Sequence, residues 1–231
     1  MNQSVQSLAT ASGAGFNVAE RNRVLRNTYW LLALSMVPTV FGAWIGVQTG
    51  ITRGLSGGMG FLVFMAGAFG FIYAIEKFKN SAAGVPILLA FTFFMGLMLA
   101  RLVGGILGLK NGSQLIMLAF AGTGSIFLSM AMLSSVIKRD LSSMGKFLMI
   151  GAVLLLVAAV ANIFLQSSAL MITMCVLAIG IFSAFILYDL KRVQDGLETN
   201  YITATLGVYL SVYNVFSSLL SLLGIFGGEK D

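Results

Sequence analysis

The sequence predicts an all-α polytopic membrane protein: seven transmembrane helices, six of them surrounding a central seventh. Three observations predict it. Hydrophobic residues make up 58% of the chain and charged residues only 10%, where a soluble domain carries about a quarter charged residues. The mean hydropathy is +0.95, and several apolar runs reach the ~20 residues needed to cross the hydrocarbon of a bilayer. The last run differs from the others, because Thr203, Gly207, Ser211, Asn214, Ser218 and Ser221 recur at steps of three and four. Those steps trace one face of an α-helix. Lipid offers no hydrogen bonds, so a stripe of small and polar side chains is expected to face protein or water. The last span is therefore expected inside a bundle made by the others. Tyr209, Tyr213 and Phe216 lie off the stripe.

The seven spans are read as 28–47, 57–75, 86–108, 114–137, 146–166, 168–190 and 201–224. Short connections make neighbouring spans antiparallel. Residues 1–27 are expected to form a flexible cytoplasmic tail, 28–224 the transmembrane domain and 225–231 a short C-terminal tail. The first apolar run starts near Thr28, too far along for a cleavable signal peptide.

Taken in order, span one carries Pro38, a candidate kink, and the loop after span two holds Lys77 and Lys79. Pro86 opens span three, where a missing N–H does little harm. Gly104 and Gly108 stand four apart in the same span, and Ala121, Ser125 and Ser129 form a similar column in span four. Such columns let helices approach closely. Arg101 lies within span three and either snorkels to the outer interface or pairs inside the bundle. Lys138-Arg139-Asp140 forms a charged loop cluster. Asn162 and Gln166 close span five, with Asn162 expected to bond a neighbouring helix. Span six holds the single cysteine, Cys175, so no disulfide framework is possible and a small buried apolar role is expected.

Lys and Arg set the orientation. Of the 14 such residues, the N-terminal segment and the second, fourth and sixth loops hold ten, which places the N-terminus in the cytoplasm and the C-terminus outside. The net charge of +6 is thereby a matter of topology, and no nucleic-acid partner is expected.

The chemistry at depth is sparse. The absence of histidine removes the usual near-neutral proton switch and imidazole metal sites; no metal or cofactor is expected. There is no Gly-x-Ser-x-Gly and no phosphate-binding loop ending in Lys-Ser or Lys-Thr. Tyr188-Asp189 matches half of an intramembrane aspartyl protease pair, but span seven has no second aspartate, and that hydrolysis uses two carboxylates. An enzyme is not expected. Asp189 itself has two readings. At the interface, Arg192 shares its helix face and pairs with it. Inside the bundle, desolvation disfavours the charged form, and protonation would change packing against Ser211 and Asn214 of span seven. The second reading makes Asp189, Ser211 and Asn214 a candidate ion path and pH gate. One carboxylate with hydroxyl and amide oxygens suits a weak, transient calcium site rather than a tight one.

The chain resembles the Bax inhibitor-1 family of seven-span membrane proteins. The resemblance is carried by Lys138-Arg139-Asp140-Leu141-Ser142-Ser143-Met144-Gly145, Asn162-Ile163-Phe164-Leu165-Gln166, Tyr188-Asp189, Tyr209-Leu210 and Asn214-Val215-Phe216. Arg26-Asn27-Thr28-Tyr29, Glu198-Thr199-Asn200-Tyr201-Ile202 and Ser211-Val212-Tyr213-Asn214 look most like the bacterial YccA-like branch, modulators of the FtsH protease. The resemblance implies six helices around a seventh. It also implies a pH-sensitive aspartate pair in members that leak cations; Asp189 matches the first aspartate and Ser211 stands in place of the second. With Ser211 there, like-charge repulsion vanishes and only desolvation acts. The branch implies an inner-membrane protein that binds and restrains an FtsH-type protease. The alternative function is a pH-sensitive cation or calcium leak with Asp189 as the titrating gate.

Overall fold

The structure, a computed structural model, describes residues 18–52, 54 and 57–229. Among the described residues seven helices run α1 Val18–Thr49, α2 Gly57–Phe78, α3 Gly84–Leu107, α4 Gly112–Val136, α5 Met144–Leu165, α6 Ser168–Gln194 and α7 Tyr201–Gly227. All seven are long and apolar enough to cross a membrane. Each follows its predicted span, with ends displaced because a helix continues past the last apolar residue while backbone pairing and caps favour it. The largest shift is at α1, which begins at Val18 with Glu20 in its first turn, where a carboxylate suits the positive end of the helix dipole. Residues 18–27, expected as tail, are thus helical. Residues 1–17, and with them most of the expected tail, lie outside the described residues, as do Arg53 and Lys230.

The tightest pairing is α1 with α3, and glycine makes it. A β-carbon on Gly96 would lie 2.1 Å from the carbonyl oxygen of Thr39, and one on Gly42 would lie 2.3 Å from that of Phe93. One on Gly46 would lie 2.5 Å from the Ala100 β-carbon. Backbones therefore meet with no side chain between them, the approach that small residues four apart allow.

Helix α7 is the enclosed element. From Tyr201 to Gly224 it has no exposed residue. Helices α6, α4, α1, α3 and, more lightly, α2 pack on it, while α5 packs principally on α6. The expected ring of six is thus seen as five helices against α7 with α5 set on α6. Helix α5 has one buried residue, Leu148, and turns most of its surface outward.

Both ends of α7 are clamped. At the end carrying the basic loops, Asn200 caps the helix by accepting the N–H groups of Ile202 and Thr203 at 2.9 and 3.1 Å. Its amide donates to the Lys79 carbonyl and to Asn80 Oδ1 in the α2–α3 loop. At the opposite end Asn111 Nδ2 donates to the Gly227 carbonyl at 2.6 Å, and its Oδ1 accepts the Glu229 N–H at 3.1 Å. Each clamp supplies partners to groups that the helix leaves orphaned at its termini.

Candidate functional site

Asp189 is positioned by the last turns of α6. Its neighbours Ile186, Leu187 and Leu190 are buried, which fixes the rotation of α6 and aims the partly buried carboxylate at α7. The carboxylate meets α7 at Gly207, where a β-carbon would come 2.9 Å from Oδ2 and 3.2 Å from Cγ. Gly207 belongs to the predicted stripe, and its missing side chain is the seat.

A second residue of the stripe also meets α6: Cys175, further along that helix, lies beside Ser221. Ser211 and Asn214 sit on this face but turn to their own helix. Ser211 Oγ donates to the Gly207 carbonyl at 3.1 Å, and Asn214 Nδ2 donates to that of Leu210 at 2.8 Å. The structure therefore brings Asp189 to α7 and does not bring it into a hydrogen bond with either residue. One turn before Gly207, the buried Thr203 Oγ1 has no hydrogen-bond partner. Buried hydroxyls normally find one, so Thr203 leaves an unmet polar atom one turn before the Gly207 seat.

Arg192 was the expected interfacial partner of Asp189. Its guanidinium lies over the Tyr188 ring, 5.7 Å from the centroid, and its ion pair is with Glu198 at 3.8 Å. Tyr188, one residue before Asp189, turns the other way and packs on Gly145, where a β-carbon would lie 2.4 Å from its hydroxyl. Successive residues of Tyr188-Asp189 thus address different helices, α5 and α7.

The remaining predicted polar residues are spread out. Asn162 acts within its own connection: its Oδ1 accepts the Ser167 N–H at 2.9 Å, and its carbonyl accepts that of Gln166, whose φ is 48°. It shapes the α5–α6 turn rather than bonding a neighbouring helix. Arg101 is exposed at the end opposite the basic loops. It lines a cavity of about 270 Å³ with Gly46, Val47, Gly50, Thr52, Ala100, Gly104 and Gly105.

A second polar cluster was missed by the sequence reading. On the other side of α7 the Tyr209 hydroxyl meets Thr39 Oγ1 at 2.9 Å, and Thr39 donates to the Ser35 carbonyl at 2.8 Å. Tyr213 donates to the Met95 carbonyl at 3.3 Å. Tyr209, Ser35 and Thr92 are buried. The signal was present: two tyrosines four apart in a membrane helix need partners for their hydroxyls. Asn200 was likewise legible as an N-cap before an apolar run.

These features define a class: an all-α, multi-pass membrane protein whose enclosed helix receives a carboxylate from its neighbour. The family model described as Inhibitor of apoptosis-promoting Bax1 matches residues 21–228, and the chain belongs to this Bax inhibitor-1 family. Its relatives include an uncharacterized protein of Neisseria meningitidis serogroup A, 36% identical over 92% of this chain and 95% of that protein. An uncharacterized membrane protein of Vibrio cholerae is 36% identical over 91% of this chain and 92% of its own length. The modulator of FtsH protease YccA of Escherichia coli K12 is 36% identical over 88% of this chain and 90% of its own.

Proposed function

We propose that this protein is an inner-membrane regulator that binds and modulates a membrane-anchored, ATP-dependent FtsH-type protease, with its N-terminus in the cytoplasm and its C-terminus outside. The observation that carries the proposal is the near full-length similarity to a relative named as a modulator of FtsH protease. The architecture supports it. At one end Asn200 ties the α6–α7 loop to Asn80 of the α2–α3 loop, and Gln194 at the end of α6 donates to Ser134 near the end of α4, which braces the end that carries the basic loops for a partner. The protein acts on this reading by association, not by catalysis. The test is co-purification with the protease after mild detergent extraction from cells making both at natural levels. A stable complex is expected; its absence under those conditions removes the proposal.

A second reading, a pH-sensitive cation or calcium leak gated by Asp189, is favoured by one observation: the carboxylate is turned into the bundle against Gly207. Ser211 and Asn214 lie further along the same face of α7. Calcium flux into liposomes containing the purified protein is expected to change in Asp189→Asn. Equal flux in both proteins, or none in either, removes the leak.

A further inference from the structure

Helix α5 is held to the bundle along one side. Leu148 is its one buried residue, and on the same side Gly145 receives the Tyr188 ring and Gly151 the Ile181 side chain, both from α6. The opposite side is open. Phe147, Ile150, Leu154, Val157 and Phe164 are each more than half exposed. With Ala161 they recur at steps of three and four, the period of a helix–helix seam. Such a seam meets acyl chains as readily as another helix, because lipid tails are as apolar as its side chains. The charge at one end of the seam decides between the two.

We infer that the open face of α5 docks a transmembrane helix of the FtsH-type protease, one that carries an acidic residue at the membrane boundary beside the α4–α5 loop. This surface rests on the function proposed above and gives it a place and a partner chemistry. Lys138, Arg139 and Lys146 are exposed and form no ion pair among the described residues. Asp140, the acid of that loop, is engaged by Ser142. Elsewhere at this end cations are paired within the chain: Lys79 with Glu76, Lys191 with Asp195 and Arg192 with Glu198. Lys146 lies in the first turn of α5, where the helix dipole disfavours a cation. That turn holds no acid, and Ser143 gives it no side-chain cap. A carboxylate fixed on a partner helix answers both the ammonium and the orphan N–H groups. Arg23 and Arg26 of α1 are exposed as well, but there Glu20 already occupies the first turn. The α1 end is satisfied from within and the α5 end is not.

The test is photocrosslinking in cells that make both proteins at natural levels. A benzophenone-bearing phenylalanine replaces Phe147 or Leu154 in the full-length chain, or Val37 on the exposed face of α1 as the control. Adducts with the protease are expected from both α5 sites and not from Val37, each measured against the amount of chain in the membrane. Lys138→Gln, Arg139→Gln and Lys146→Gln together are expected to lower the Leu154 adduct about tenfold, the loss of one charge-assisted contact. An adduct unchanged by that triple substitution overturns the acidic partner. Co-purification of the protease without an adduct from either α5 site overturns this surface and leaves the function above standing, whereas no complex at all removes both. Adducts of twice the chain mass, or with phospholipid alone, overturn the proposal in favour of a second copy or of lipid.

Discussion

The carboxylate of Asp189 rests on the backbone of Gly207, so close that a β-carbon there would stand 2.9 Å from Oδ2. The two residues lie on different helices and are fitted to each other. Gly207→Ala gains helix propensity of about 1 kcal/mol but displaces the carboxylate. In the parent the two effects are expected to offset, leaving stability within about 1 kcal/mol. In an Asp189→Ala background the same substitution is expected to stabilise. Thermal unfolding of the two singles and the double in detergent gives the coupling, expected at about 1 kcal/mol. Strict additivity would show that the carboxylate does not use the glycine seat.

The α1–α3 crossing makes a sharper prediction. Gly96→Ala sets a methyl against a backbone oxygen that cannot rotate away, and the helices must part. The expected loss is about 3 kcal/mol. Gly180→Ala serves as the contrast, since a β-carbon there meets nothing within 4 Å; it is expected to leave stability unchanged or raise it by up to about 1 kcal/mol. Equal melting temperatures for the two variants would contradict the close approach.

On the opposite side of α7, Tyr209 and Thr39 share a hydroxyl–hydroxyl bond of 2.9 Å. Hydrogen bonds within membrane bundles contribute about 0.6 kcal/mol on average, up to about 1.7. Tyr209→Phe with Thr39→Val in a double-mutant cycle is expected to show coupling in that range. No coupling would mean that the pair contributes only packing.

Outside the membrane, Asp140 is an assignable source of acid sensitivity among the described residues. The Ser142 hydroxyl and N–H both donate to Asp140, the N–H at 2.8 Å, and Lys191 adds its charge. The hydroxyl bond first, then the N–H bond, hold the Asp140 carboxyl below its ordinary value. A carboxyl held low in the folded state stabilises at pH values above the unfolded value of about 3.9 and loses that contribution as pH falls through the folded one. Ser142→Ala is expected to move the Asp140 titration upward, toward the ordinary value, as read by carboxyl NMR of labelled aspartate. A titration that stays put would show that the hydroxyl contributes nothing.

How much of this was legible in the sequence depends on the range of the interaction. Seven membrane helices follow from composition and run length, because an unpaired backbone in hydrocarbon is so costly that each long apolar run has one solution. The enclosure of α7 follows from the Thr203–Ser221 stripe for the same reason. The Oδ1 atoms of Asn200 and Asn162 accept N–H groups within a few residues, so those roles are properties of local sequence, although Asn162 is expected from the sequence to bond a neighbouring helix and the Asn200 amide reaches across to Lys79 and Asn80. The partner of Arg192 is different. Helical spacing allowed Asp189, and only the path of the α6–α7 loop, turning at Gly196 with φ 75°, brings Glu198 back to the guanidinium. The seat at Gly207, the α1–α3 backbone contact and the glycine-walled cavity at Arg101 join residues from separate helices. Periodicity sets which face of a helix is buried but carries no information on the rotation and depth at which two helices meet. Those were decided by packing, where one β-carbon more or less determines which backbone touches which.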